Sequence, residues 1–459
     1  MTHYHFIGIG GTGLSAIAHV LLEQGHLVSG SDMHESPQID ELQTLGIKVA
    51  IGHRADNITD ADYVIRSSAI PDENPEVLAA NKAGTPVLKR ADFLRELTKG
   101  KTVLAVAGTH GKTTTTAMLA WTLTSLGQDP SFIIGGVSKN LNTNGHAGKS
   151  QYFVIEADEY DGMFLGLQPD ILVVTSVEHD HPDNYPTPQS YMDAFIKLVH
   201  QIKSGGTLLT CGDHPRAKYL HKDAPSNIRV LNYGTHPDSD FFATDIIHKA
   251  GCGAAFTANG INDLLIKDIQ LQVPGEHNVV NAMSIVAIIA TLGLDFVEMR
   301  NSLESFLGTG RRFDILGCEK GVTIIDDYAH HPTEIRATLA AARCRFPRSP
   351  LWVIWQPHTY SRTQTLLLEF INAFHNCDHV IVTEIFRARE QAQDYSSADV
   401  VRQMQHPDVK FMKDFKTIID FLINHLKSGD VLLVLSAGDA NQISSQVYDL
   451  LQSKGEKHG

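Results

Sequence analysis

The chain has 459 residues, 42% hydrophobic and 20% charged, which is ordinary globular composition and enough length for two to four domains. A formal charge of −14 argues against nucleic acid as a partner, since that needs a basic face, yet leaves room for phosphate capture by a few N–H groups and one lysine. Five cysteines (Cys211, Cys252, Cys318, Cys344, Cys377), odd in number and without a CxxC pair, predict reduced, mostly structural thiols. An immediate strand leaves no room for a signal peptide, and the most apolar stretch, 279–294, is broken by Asn281 and Ser284. The expectation is a soluble cytoplasmic protein with no membrane partner.

The first element is "HFIGIGGTGLSAIAHVLLEQGHLVSGSD", a strand, a glycine loop and a helix, followed by Asp32. Gly10, Gly11 and Thr12 predict a diphosphate site at a helix N-terminus, with Ser31 and Asp32 placed to read a nucleoside. Pattern alone does not separate NAD, and an oxidoreductase, from another nucleotide diphosphate. A polar break at "LTKGK" precedes a second strand–loop–helix, "TVLAVAGTHGKTTTTAMLAWTL". The usual P-loop spacing would put glycine where Val106 stands; Gly108 comes two residues later. Gly108, Thr109, His110, Gly111, Lys112, Thr113 and Thr114 form the predicted phosphate cradle, Lys112 neutralising the β/γ phosphates and Thr113 reaching a Mg²⁺.

The next strands end in "EADEYD" and "EHDHPD", oxygen and imidazole donors suited to a metal shared with nucleotide phosphates. His179 and His181 alternate in the second, which leaves a dedicated zinc or iron site open. After "LGTGRRFD", further strands end in "DDYAHHPTEI", "QPHTYSRT", "EIFRARE" and "SAGDANQI". Short apolar strands alternate with helical patterns throughout, predicting an α/β fold with parallel or mixed sheets in three domains, 1–98, 99–308 and 309–459. The last residues, "SKGEKHG", read as a polar tail. With no GxSxG elbow and no catalytic cysteine context, a nucleotide-driven reaction between two bound substrates fits best.

Taken in order, "GTHGKTTTT", "EADE", "HDHPDNY", "GEHNVVNA", "GTGRRFD", "DDYAHHPTEI" and "QPHTYSRT" resemble the Mur ligases of bacterial peptidoglycan synthesis, over nearly the whole chain. The resemblance implies an N-terminal Rossmann-like domain for the UDP-sugar, a central P-loop ATPase-like domain for ATP and a C-terminal Rossmann-like domain for the amino acid. It implies joining of L-alanine to the lactoyl carboxylate of UDP-N-acetylmuramate through an acyl phosphate, with ATP and Mg²⁺, in the bacterial cytoplasm, by a monomer or homodimer. Carried over, Lys112, Thr113 and Glu156 hold phosphates and metal, His181 is a second-metal ligand, and Asn278 and Asn281 meet adenine. Asn278 as a helix N-cap is the bland alternative. Arg312 reaches the γ-phosphate, Asp327 the ribose, and Arg311 lies at the surface. Tyr328, His330, His358, Tyr360 and Arg362 surround L-alanine, Arg362 clamping its carboxylate. Some relatives carry arginine where this chain has Thr359, which puts one carboxylate contact in doubt. "VEHDHPDNY" lacks the lysine that sibling ligases adding later residues carbamylate, which favours the alanine-adding branch. A recycling ligase that attaches a murein tripeptide would need a roomier third-domain pocket, and "QPHTYSRT" resembles the single-alanine type.

Overall fold

The computed structural model describes residues 1–248 and 253–456; Cys252 and the last three residues of the polar tail lie outside them. The chain builds three sheets in succession. The first has five parallel strands, ordered Lys48–Ile51, Leu27–Asp32, His3–Ile7, Tyr63–Arg66, Val87–Lys89. The strand feeding the first glycine loop is therefore central, and the winding reverses beside it. That opens a crevice at the carboxyl ends of His3–Ile7 and Tyr63–Arg66.

The second sheet has ten strands. At its centre Thr102–Ala107 lies parallel between Tyr152–Glu156 and Ile171–Val174, and the run Ile171–Val174 is wholly buried, as expected of a strand covered on both faces. The sheet is mixed because its margins turn antiparallel: a meander Phe241–His248, Ala254–Gly260, Leu264–Gln270 on one side, and a hairpin Ser131–Ser138, Thr143–His146 on the other. The third sheet orders six strands as Asp314–Glu319, Val322–Asp327, Val431–Leu435, Leu351–Trp355, His379–Val382, Val409–Phe411, with the first pair antiparallel. The fold is α/β in three domains.

Their junctions differ in kind. One apolar cluster runs without a break from Phe6 and Ile17 through Phe93 to Phe153, Phe164 and Phe195, so the first and second sheets share a core. Gly145 packs on helix Thr12–Glu23 so closely that a Cβ there would lie 2.6 Å from the Ala16 carbonyl oxygen. The third sheet builds its own core around Trp355, Phe370 and Phe374, and polar and charged side chains join it to the middle one.

Among the described residues no helix is long and apolar enough to cross a membrane. Cys211 and Cys377 are buried and free, but Cys318 and Cys344 are free and exposed, so the reading of mostly structural thiols holds for half of the described set. The expected tail is helical as far as described, since Asn441–Glu456 runs through its first four residues.

Candidate active site

The second glycine loop joins strand Thr102–Ala107 to helix Lys112–Ser125. Gly108 takes φ +132° with its Cα against the Thr175 hydroxyl, leaving no space for a side chain. Gly111, at φ +79°, is the N-cap, and a Cβ there would lie 2.9 Å from Asn281 Oδ1. Thr109 faces inward: its hydroxyl donates to the Glu178 carbonyl oxygen at 2.9 Å, so it braces the loop. Thr114 is half-buried in the first helical turn.

Lys112 folds back over the loop, donating to the Gly108 carbonyl at 2.6 Å and standing 2.9 Å from Glu159 Oε2. Burial alone would pull its ammonium pKa down; Glu159, Asp158 and Glu156 hold it above the ordinary value instead. The Thr113 hydroxyl donates to Glu156 Oε1 at 3.0 Å, and the Gly135 N–H donates to Oε2 at 2.6 Å. Burial still raises the Glu156 pKa, although Lys112 and these two bonds oppose it. A buried carboxylate beside a hydroxyl, short of countercharge, is a donor set suited to Mg²⁺.

His181, at φ +52°, points Nε2 at Glu159 Oε1 (3.7 Å) and Asp180 Oδ2 (3.8 Å). His179 turns elsewhere, its Nε2 2.7 Å from the Tyr185 carbonyl. The two histidines therefore do not converge, and the zinc or iron reading of "EHDH" fails on geometry. Ligand-capable atoms meet instead at His110, Glu178 and His331, within 4.8 Å of one another. That trio is balanced by a proton. His110 lies between Glu178 Oε2 (2.9 Å) and Glu334 Oε1 (3.3 Å), and although burial opposes the charge, those two bonds lift its pKa to about 9.

Glu334 belongs to the third domain, in the first turn of helix Pro332–Arg345. It also accepts the His330 N–H at 3.1 Å and lies 3.7 Å from Arg312. Thr333 donates to Glu178 at 2.9 Å across the same seam. Arg312 and Arg311 flank the Tyr328 ring at 5.0 and 5.1 Å. Arg311 is structural and not merely superficial, because it pairs with Asp326 at 3.2 Å and donates to the Ser436 carbonyl at 2.7 Å. Asp327 is buried, which raises its pKa to about 6, and its two oxygens accept the Phe313 and Ala329 N–H groups at 2.7 Å each. It braces the turn around Arg312.

Arg362 is 3% exposed and crosses the seam, its Nε donating to Asp180 Oδ1 at 2.7 Å. Its NH1 donates to His358 Nδ1 at 2.9 Å, while NH2 makes only a 3.5 Å contact with His181. The expected carboxylate clamp therefore already holds a protein carboxylate on one edge. His330 and His358 stand 5.7 Å apart, ring to ring, and burial pushes them down to about 4 and about 2, so both are neutral imidazoles. Tyr360 is buried at the start of helix Tyr360–Thr365. Thr359 caps that helix at φ +65°, so this position carries a backbone role as well.

Asn278 and Asn281 are buried in helix Glu276–Leu292. Asn278 donates to the Pro274 carbonyl at 2.7 Å and Asn281 to Asn278 Oδ1 at 3.1 Å. The N-cap is Gly275, so Asn278 is not one. In the first domain, Gly10 donates its N–H to Asp32 Oδ2 at 2.9 Å, while Gly11 and Thr12 are exposed. Asp32 thus braces the loop. Ser31 is wholly buried and donates to Glu76 Oε2 at 2.7 Å, so it is turned away from any surface where a nucleoside would lie.

Three family models match in succession: the Mur ligase family catalytic domain over residues 3–102, the Mur ligase middle domain over 106–289, and the Mur ligase glutamate ligase domain over 311–438. The chain belongs to the Mur ligase family. Curated relatives include the UDP-N-acetylmuramate–L-alanine ligase of Pelobacter propionicus, 40% identical over 453 residues and 98% of each chain. The ligase of the same name from Roseiflexus castenholzii is 40% identical over 455 residues, 96% of each chain. Among solved structures, the Thermotoga maritima UDP-N-acetylmuramate–alanine ligase superposes with a TM-score of 0.84 at 29% identity, covering 99% of this chain and 100% of that one. A murein peptide ligase from Psychrobacter arcticus gives 0.74 at 25% identity, covering 98% and 99%. In this Mur ligase, sequence reasoning passed over Glu159, Glu178, Asp180 and Glu334. Each lay inside a quoted motif, but nothing local told a countercharge from a solvated acid.

Proposed function

We propose that this Mur ligase joins L-alanine to the lactoyl carboxylate of UDP-N-acetylmuramate, converting ATP to ADP and phosphate by way of an acyl phosphate. The observation that carries the reading is the seam. Lys112, Thr113 and Glu156 of the middle domain stand on one side and Arg312, His330, His358 and Arg362 of the third on the other, joined through His110–Glu334 and Asp180–Arg362. The name shared by curated relatives at about 40% identity supports L-alanine as the amino acid.

In this reading residues 1–98 hold the UDP-sugar, 99–308 the ATP and 309–459 the amino acid, in the bacterial cytoplasm. Gly10, Gly11 and Thr12 offer N–H groups to the diphosphate. Lys112 and Arg312 neutralise the γ-phosphate from opposite domains, so that the lactoyl carboxylate attacks phosphorus with both charges screened. Asn278 and Asn281 lie on the adenine side. Thr113 and Glu156 would hold one Mg²⁺ and His181 would serve a second, and metal bound there would supply further charge neutralisation on the phosphate oxygens. The neutral His330, whose Nδ1 donates to the Tyr328 carbonyl, accepts a hydrogen bond from the alanine amine at Nε2. The neutral His358, whose Nδ1 is taken by Arg362, offers its Nε2–H as a donor, and the weakly engaged NH2 edge of Arg362 faces the alanine carboxylate. Catalysis is then chiefly positioning and charge neutralisation.

Phosphate release measured with each substrate omitted in turn tests this. The expected result is turnover that requires ATP, UDP-N-acetylmuramate and L-alanine together. Turnover with a murein tripeptide and none with L-alanine overturns it in favour of a recycling ligase.

A further inference from the structure

The polar strand end "EIFRARE", residues 384–390, has no part in the reaction described above, yet it touches both sides of the seam. We propose that its Arg389 is a positioning residue that couples the seating of L-alanine in the third domain to the orientation of His181 in the middle one, acting through the ring of Tyr160. The inference rests on the L-alanine ligase reading above.

On the third-domain side, the segment is fastened at two points to the residues that surround L-alanine. Phe386 donates its N–H to the Pro357 carbonyl and accepts the Thr359 N–H, both at 2.8 Å, and its ring stacks on His358 with centroids 5.6 Å apart. Glu390 accepts the Tyr360 and Ser361 N–H groups, which helix Tyr360–Thr365 leaves unpaired at its start and which precede Arg362. Between these anchors Ala388 takes φ +50°, a left-handed turn in the chain. Arg389 follows it. The residue is exposed and, among the described residues, forms no ion pair; its guanidinium lies over the Tyr160 ring of the middle domain, 5.0 Å from the centroid.

On the middle-domain side, Tyr160 donates its N–H to Asp158 Oδ1 at 3.1 Å and its hydroxyl to Asp183 Oδ2 at 3.3 Å, and its ring meets the His181 ring edge-on at 5.1 Å. His181 needs such support. Its backbone is left-handed, and the carboxylates near its Nε2 stand 3.7 and 3.8 Å away, beyond hydrogen-bond length. The third domain reaches it directly only through the 3.5 Å contact from Arg362 NH2. In the reading above that NH2 edge turns to the alanine carboxylate, so with alanine seated the route through Arg389 and Tyr160 is the one that remains. An exposed cation over an aromatic face is a weak contact, so Arg389 adjusts the metal side by a small factor and carries none of the chemistry.

The test uses Mn²⁺ as a paramagnetic substitute for Mg²⁺, titrated into the full chain holding UDP-N-acetylmuramate and a non-hydrolysable ATP analogue, with and without L-alanine. In wild type, L-alanine should tighten Mn²⁺ by about 2- to 5-fold and strengthen the imidazole-nitrogen modulation in its electron spin echo. Arg389→Met should abolish that gain, Arg389→Lys should keep most of it, and the melting midpoint of both should match wild type. Adding Tyr160→Leu to Arg389→Met should remove nothing further, because the two side chains act in one chain of contacts. An alanine gain that survives Arg389→Met overturns the proposal, and so does a double variant whose losses add. Equal losses in Arg389→Lys and Arg389→Met with a lowered midpoint also overturn it, as the mark of a structural role. If wild-type phosphate release requires L-alanine yet Mn²⁺ binding ignores it, the coupling alone falls. If wild-type phosphate release does not depend on L-alanine, the ligase reading falls and takes the proposal with it.

Discussion

The two glycine loops of this Mur ligase share a plan, strand to loop to helix N-terminus, and differ in how their charges are met. The second is crowded with the protein's own counter-ions: Lys112 against Glu159, Thr113 against Glu156, His110 between Glu178 and Glu334. The first has no acid in its helical turn, one carboxylate tied back to its own backbone, and an unpaired arginine beside it. In the proposed reading one loop exchanges protein partners for ligand, and the other keeps the N–H groups of its helical turn free of protein counter-ions. The first pattern suits a site where charge is passed between groups during a reaction, the second a site that only has to hold.

Lys112→Met gives the largest effect, because it removes the cation on which Glu159, Asp158 and Glu156 are balanced. Ligation measured by phosphate release should fall by about 10²- to 10³-fold or more, and retained activity would mean the loop's ammonium is not catalytic. Next is Asp180→Asn, which leaves Arg362 buried without its charge partner. Breaking a buried pair from one side costs about 3–5 kcal/mol. Denaturant unfolding followed by tryptophan fluorescence in a Trp121→Phe background, which leaves Trp352 and Trp355 of the third domain as reporters, should register a loss of that order.

The interdomain link at His110 should weaken with alkali. Its folded pKa of about 9 lies above the ordinary 6.5, so its contribution is complete below 6.5 and is lost as pH rises through 9. Glu178, lowered to about 2 despite burial, supplies its part above its ordinary 4.5 and loses it as pH falls through 2. His331, the other group facing His110, is pushed down by burial to about 4 and stays neutral across the alkaline window. Distances measured by fluorescence transfer between labels on the middle and third domains should therefore lengthen between pH 7 and 9, and Glu334→Gln should remove most of that dependence. A pH-independent distance in wild type would show that the His110 proton does not hold the seam. Smallest is the contrast between glycines. Gly108→Ala meets both a φ of +132° and the Thr175 hydroxyl and should destabilise strongly, whereas Gly11, whose added Cβ would lie 3.6 Å from the Gly8 carbonyl, should tolerate alanine within about 0.5 kcal/mol by thermal melting.

Much of this was legible beforehand, and the limits are physical. Glycines before a helix, an apolar strand before the glycines and polar clusters at strand ends are local signals; they picked out Lys112 and Thr113 and set the "EADEYD" strand end on the same edge, while the pairing with Glu156 came from the resemblance. Within the site, the readings that changed are mostly questions of direction. Ser31 was placed to read a nucleoside, yet the strand turns it inward onto Glu76, 45 residues away. His179 and His181 share a motif but not a target, because the left-handed backbone at His181 redirects its ring. Arg311 and Arg312 are neighbours with separate partners, Asp326 and Glu334.

The amino-acid sequence by itself determined the α/β class, the two glycine loops and the family, since these rest on periodicity, glycine placement and motif order within short windows. Which charges answer each other was decided by tertiary structure alone. His110 meets Glu334 across 224 residues and Arg362 meets Asp180 across 182, and such pairings depend on how separately folded sheets are set against each other. Arg90 is the sharpest case. Nothing in its sequence neighbours singles it out, and only the packing of its helix between two domains sets its guanidinium against Gly13 with Nε buried and unpartnered.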